Sequence, residues 1–157
     1  MRGARLATGA VGGAALAAAV ALGAMAGLGT FTFVYARGAS YHTDDPAACA
    51  NCHVMQDHYA AWLKSGHRHV ATCNDCHTPH TLVGKYLTKA ENGYHHSLAF
   101  TTGRFHEPIQ IKTRNRAVTE QACRSCHAVI VQMIDHVPEE RGGLSCLHCH
   151  ADVGHMH

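Results

Sequence analysis

Charged side chains are scarce in this chain: Asp, Glu, Lys and Arg together make up 15% of its 157 residues, against about a quarter in an ordinary globular protein. Aromatic residues reach only 6%, with a single Trp, and much of the 46% hydrophobic content sits in an Ala-rich N-terminal stretch. Little material is left for a packed side-chain core. Once a membrane segment is set aside, the length allows one domain of about 120 residues, which excludes a large enzyme. The formal net charge of +2 gives no electrostatic reason to expect nucleic acid or another polyanion. Signatures of nucleotide, phosphate or hydrolase chemistry are absent. So are strand alternation and any pair of runs that reads as a hairpin.

Cysteine and histidine are abundant instead, at 8 and 16 residues, the compositional mark of metal or haem ligation. All the cysteines fall into four copies of C-x-x-C-H: Cys49 and Cys52 before His53, Cys73 and Cys76 before His77, Cys123 and Cys126 before His127, and Cys146 and Cys149 before His150. Two cysteines three apart on a helical turn reach the two vinyl groups of one haem as thioethers, and the adjacent His is delivered to the iron. Zinc or thiol redox chemistry and disulfides are the competing readings of C-x-x-C. Neither explains four following histidines, which chance would supply with odds on the order of 10⁻⁴ in a chain roughly one-tenth His. Four covalently bound haem c groups are therefore expected, with their faces replacing side chains as the hydrophobic centre. The expected fold is mainly α: one N-terminal transmembrane helix and a small helix-and-loop domain wrapped on four haems, with little or no sheet. Helices are expected over 57–65, 81–100 and 119–136, with a short C-terminal turn. Gly66, Gly103, Pro108, Pro138 and the Gly142-Gly143 pair are the expected breaks.

No charge occurs between Arg5 and Arg37, and residues 6–36 as a helix would reach roughly 45 Å, enough to span a bilayer. Aromatic residues at Phe31, Phe33 and Tyr35 end the run, as they do at membrane interfaces. Arg2 and Arg5 favour a cytoplasmic N-terminus, so the chain divides into a cytoplasmic 1–5, an anchor 6–36 and an exported 37–157. Ala24-Met25-Ala26 resembles a signal cleavage site, but the apolar run is about twice a typical signal core, which favours a retained anchor. Gly23 and Gly27 have helix-packing spacing, an expected coincidence in so Gly-rich a segment.

Twelve histidines lie outside the motifs. His67, after a helix-like stretch and a Gly break, and His155, five residues past His150, are reasonable distal ligands; the alternative for each is a solvated surface His. His80 is too near His77 in sequence to cross easily to the far face of its haem. His42, His58, His69, His106, His136, His148 and His157 carry no assignment. At the first motif, Met55 follows His53 by two residues and can replace it as the axial ligand, raising the potential; spacing alone favours an ordinary packed Met. Lys112, Arg114 and Arg116 alternate in a loop-like segment, where a solvated charge run is the default and haem propionates or a docking surface are the alternatives.

These features in order resemble the NapC/NirT family of tetrahaem quinol dehydrogenases: an N-terminal anchor, C-x-x-C-H-x-M, Ser65-Gly66-His67, then Cys73-Asn74-Asp75-Cys76-His77-Thr78-Pro79-His80, a helix carrying Lys89, and C-x-x-C-H-x4-H at the end. The likeness is greatest to the small subunits of cytochrome c nitrite reductases. The resemblance implies a single-pass protein of the inner membrane whose periplasmic haem domain oxidises menaquinol and passes electrons to the multihaem catalytic subunit of a nitrite reductase, within a hetero-oligomer. It implies Met55 as the ligand of haem 1 in place of His53, His77, His127 and His150 as proximal ligands, and the pairs His155 with His127 and His67 with His150. Haem 2 is left without a partner in the chain; its sixth ligand is a further His or comes from the partner subunit. Lys89 matches the family's quinol-site lysine. Quinol oxidation releases protons, which calls for a hydrogen-bonding group at the hydroxyl. His96 lies seven residues on, where some members carry an acidic residue; as an imidazole it can accept a proton or bind iron. Other functions compatible with the sequence are a quinol dehydrogenase for another reductase and a soluble carrier released by signal cleavage. A haem enzyme reducing nitrogen oxyanions itself would need a cationic pocket that no motif displays.

Overall fold

The computed structural model describes residues 2–134 and 143–155, and the chain divides into two compact units, Met1–Ser40 and Tyr41–His157. The first is built on one helix, α1 (Arg2–Tyr35). Its Gly12–Tyr35 portion has a mean hydropathy of 1.8 and is, among the described residues, the one stretch long and apolar enough to cross a membrane. Its large side chains, Leu16, Val20, Leu22 and Leu28 among them, are all exposed, as side chains that face lipid are. After Phe31 stacks on Tyr35 at 5.8 Å, the chain turns back over Phe33. A Cβ at Gly38 would collide with that ring, so the turn requires glycine.

The second unit contains α2 (Pro46–Cys49), α3 (Gln56–Trp62), α4 (Cys73–His77), α5 (Leu82–Thr102), α6 (Thr113–Cys126), α7 (Ala128–Ile134) and α8 (Cys146–Cys149). 3₁₀ turns cover Gly38–His42, His53–Met55 and Gly66–His69, and no strand occurs among the described residues. The mainly α class is as expected. Local chemistry sets the starts. Asp45 accepts the Ala47 N–H at 2.9 Å with Pro46 at the first helical position of α2, a favourable pairing of cap and proline. Thr72 and Asp75 form a reciprocal capping box at α4, satisfying donors that a helix start leaves unpaired. Thr81 Oγ1 accepts from Gly84 N at 3.3 Å to open α5, and Gly103 closes it at φ +66°, the left-handed geometry that favours glycine.

The helix expected over 119–136 is two helices. It begins earlier, at Thr113, and breaks at His127, whose φ −101° and ψ 25° leave the helix before α7 resumes. The early start rests on polar contacts that apolar periodicity does not register. Arg114 forms an ion pair with Glu91 of α5, and Asn115 Nδ2 donates to Asn92 Oδ1 at 3.0 Å. The remainder of that expectation, to His136, lies outside the described residues, as do Pro138, Gly142 and His157. The helix expected over 57–65 stops at Trp62, where Ser65 N–H turns to the Trp62 carbonyl.

Apolar packing is minimal. The buried hydrophobic residues among those described are Ala50 and Ala122, and the other buried residues are Thr78, Thr88, Lys89 and Thr119. Helices meet in the order of the motifs: α2 packs on α4, α4 on α6 and α6 on α8. Polar clamps join them. Glu120 on α6 accepts Ser145 Oγ–H at 2.5 Å, Cys146 N–H at 2.9 Å and Leu147 N–H at 3.1 Å, so its carboxylate caps α8 from another helix. One turn on, Arg124 Nη2 donates to Leu144 O at 2.5 Å. Burial alone would raise the Glu120 pKa, but the hydrogen bonds from Ser145, Leu147 and Cys146 outweigh it and hold the carboxyl below its ordinary range.

Replacing Glu120 by Ala should cost about 1–2 kcal/mol, the usual scale for charge-assisted hydrogen bonds at a partly exposed site. Because the folded pKa is depressed, that contribution is present above the ordinary carboxylate pKa and fades as pH falls through the folded value. Denaturation of the haem-loaded protein at neutral and acid pH measures both, and equal midpoints for the two chains at neutral pH would contradict the clamp.

Candidate functional site

Each motif pair is carried on, or flanks, a short helix whose turn brings its two thiols to one side: Cys49 ends α2, Cys73 and Cys76 lie in α4, Cys123 and Cys126 in α6, Cys146 and Cys149 in α8. None of the eight is paired in a disulfide. Neighbouring motifs also touch through them. A hydrogen bond joins Cys73 to Cys49. Cys76 lies within electrostatic reach of Cys126 and Cys123, and Cys123 within reach of Cys146. The four motifs thus stand in space in the order they hold in the chain.

The residues fit haem on two counts. A unit whose buried apolar side chains are alanines needs an apolar body at its centre, and a porphyrin supplies one. The second count is the placement of the rings. Two imidazoles that bind one metal from opposite sides, at about 2 Å each, have ring centres roughly 6 Å apart. His77 and His155 lie 6.0 Å apart and nearly parallel, at 6°, and His67 and His127 lie 6.2 Å apart. These pairs differ from those the family resemblance implies. His155 meets His77 rather than His127, and His67 meets His127 rather than His150. The packing of α4 on α6 brings the second and third motifs together. Burial, with His58 beside it, pushes the His77 pKa below its ordinary range. His58 itself has a buried Nδ1 with no hydrogen-bond partner and packs edge-on to His155 at 4.9 Å. His150, at the end of α8, is exposed. His80 turns back on its own motif, its Nε2 2.9 Å from Asp75 O. Among the described residues no group of three or more His, Cys, Asp or Glu converges as a bare metal site.

At the first motif, His53 is exposed and Met55 half-buried within one 3₁₀ turn. Tyr41 stands beside it, its hydroxyl pKa raised by burial and by Cys52 and Cys49, with its ring against Gly93 of α5, where an added Cβ would lie 3.4 Å away. On the same helix Lys89 is buried to 8% exposure. Its ammonium donates to Thr43 O at 2.6 Å and to Asp44 Oδ1 at 3.3 Å, and its charge reaches Cys49. Asp44 is the residue that the sequence reading passed over. The available signal was an acidic pair, Asp44-Asp45, placed just before the first motif in an acid-poor chain. His96 is two turns further along α5 and more exposed. Burial, then Lys112 and His95, lower its pKa. Among the described residues no hydrogen bond or ion pair joins it to Lys89, so the two share a helix without forming one cluster. The alternating cations are not a free run: Arg114 pairs with Glu91, and Arg116 Nη2 reaches Ser145 Oγ at 3.4 Å.

A mainly helical unit with four C-x-x-C-H motifs in series, imidazoles poised in pairs and a membrane-length helix defines a multihaem c-type cytochrome. Residues 12–157 match the NapC/NirT cytochrome c family, N-terminal region, and the chain belongs to that family. It is 36% identical over 140 residues to the cytochrome c-type protein NrfH of Wolinella succinogenes, covering 82% of this chain and 79% of that one. It is 31% identical to the cytochrome c nitrite reductase subunit NrfH of Nitratidesulfovibrio vulgaris, over 73% of this chain and 70% of the relative. Its fold is similar to a chain in the crystal structure of the cytochrome c nitrite reductase NrfHA complex bound to the inhibitor HQNO, with a TM-score of 0.63, 29% identity, and coverage of 83% and 87% of the two chains.

Substituting His155 by Ala should leave all covalent haem attached, by mass, while converting one low-spin haem to high spin in the electron paramagnetic resonance spectrum. His67→Ala should do the same at a different haem. An unaltered spectrum in either variant would remove that histidine from the ligand set.

Proposed function

We propose that this chain is a membrane-anchored tetrahaem cytochrome that oxidises menaquinol at the periplasmic face of the inner membrane and delivers the electrons to the catalytic subunit of a cytochrome c nitrite reductase. The observation that carries this reading is the buried Lys89 ammonium, whose charge reaches Cys49 of the first motif, at one end of a series of four motifs. A proton-handling group at the entry of an electron relay is what quinol chemistry requires, since each quinol surrenders two protons and two electrons.

Haem c held by the four cysteine pairs supplies one-electron acceptors when bound. In this reading His77 with His155, and His67 with His127, ligate the second and third; Met55, in preference to His53, ligates the first; and His150 ligates the fourth. The remaining chemistry belongs to side chains. Lys89 donates a hydrogen bond to a quinol oxygen, which stabilises the negative charge that grows as the hydroxyl proton leaves. His96 takes up a proton and passes it to water. Its other role, as an iron ligand at the first haem, would be visible as a spectral change on substitution. On the face of α5 opposite Lys89, Val83, Leu87, Tyr94 and Leu98 follow one another at helical spacing and are exposed by 70, 61, 65 and 46%. The partner assignment draws on the similar NrfHA complex. If nitrite does not reoxidise the protein, the second reading, a quinol dehydrogenase serving another periplasmic reductase, takes its place.

The test is to purify the chain from membranes in mild detergent with whatever accompanies it, reduce it with dimethylnaphthoquinol, and add nitrite while following haem absorbance. Reduction within seconds, inhibition by HQNO and nitrite-dependent reoxidation are expected. Lys89→Met should slow quinol-driven reduction at least tenfold and leave dithionite reduction intact. Reduction at the wild-type rate would remove Lys89 from the site.

A further inference from the structure

Asp44 is a hub for three side chains. Its Oδ2 accepts from Lys85 Nζ at 2.5 Å, and its Oδ1 accepts from Lys89 Nζ at 3.3 Å and from Asn74 Nδ2 at 2.7 Å. The same Asn74 amide also donates to Thr43 O at 3.2 Å, the carbonyl that Lys89 meets at 2.6 Å. Asn74 lies between the cysteines of the second motif and both lysines lie on α5, so the carboxylate ties a motif helix, the quinol-site helix and the 41–45 segment at one point. The exposures are unequal. The Lys89 side chain is 8% exposed, Lys85 25% and Asp44 50%.

An ammonium as buried as that of Lys89 is costly to keep charged unless a carboxylate faces it. Asp44 is the acidic side chain that touches it. Lys89 has three N–H bonds, of which Thr43 O and Asp44 take two, and among the described residues no acceptor claims the third. The ring of Tyr86, 5.8 Å from Nζ, covers one side. Resting on the quinol-oxidising reading above, we propose that Asp44 is a positioning residue for that reaction: with the Thr43 carbonyl it holds the Lys89 ammonium charged and aimed, so that the remaining N–H meets the quinol oxygen. Lys85 and Asn74 fix the carboxylate in turn. No bond to substrate is made by Asp44 itself; it acts through Lys89, and the two should therefore behave as one unit.

A double-mutant cycle in the full-length, haem-loaded protein tests this, with dimethylnaphthoquinol as the reductant and haem count and the dithionite-reduced spectrum as controls. Asp44→Asn should lower kcat/KM for the quinol about tenfold with haem content unchanged, and should add no further loss in a Lys89→Met background. The same loss in both backgrounds, or no loss in either, would overturn the proposal. If Asp44→Asn assembles poorly, Asp44→Glu decides. It keeps the charge, so activity within about threefold of wild type is expected, and a fully haem-loaded Asp44→Glu chain as slow as Lys89→Met would overturn the positioning role. A Lys89→Met chain as fast as wild type would instead refute the quinol-site reading on which this rests.

Discussion

Apolar burial, the force that holds most domains of this size together, is scarce among the described side chains, of which Ala50 and Ala122 are the buried hydrophobic ones. Everything else in the haem unit follows from that deficit. Four motif helices meet in chain order, and the contacts between their elements are made by carboxylates, amides and guanidinium groups in place of leucines. Glu120 caps α8 from α6, Asn115 and Arg114 join α6 to α5, and Asp44 joins α5 to α4. A chain with few charges has placed several of them at the junctions. The apolar bulk is left to the prosthetic groups for which the cysteines are spaced.

The two kinds of structure differ in how readily a sequence reveals them. C-x-x-C-H is legible because thioether chemistry is local: both sulfurs and the imidazole have to emerge from a single turn, so the requirement is written within five residues. Helix α5 is legible for a similar reason, with Thr81 at its start and Gly103 at its end both acting on their own helix. Which distant imidazoles approach one another is not legible in that way. His155 finds His77 across 78 positions only because α4, α6 and the C-terminal tail pack as they do, and the interval along the chain carries no trace of it. The early start of α6 was hidden likewise, since its first turns face polar partners and show no apolar stripe.

Asp44 and Glu120 share a reason for having been overlooked. Each is an acidic residue of ordinary appearance whose importance lies in what converges on it from elsewhere. Lys89 stands between the two cases. Its position on a capped helix can be anticipated, whereas its burial and its hold on Thr43 and Asp44 come from the segment that precedes the first motif. The electrostatics of the candidate site are thus assembled from residues nearly fifty positions apart, while its redox centres are each specified within a handful.

The brevity of the motif helices has a consequence for biogenesis. Helices of four or five residues such as α2, α4 and α8 are far below the length at which a helix survives on its own in water. Without haem, the cysteines of these three motifs therefore stand on backbone with little helical preference of its own, and an attached haem would supply the apolar surface on which each short turn can settle.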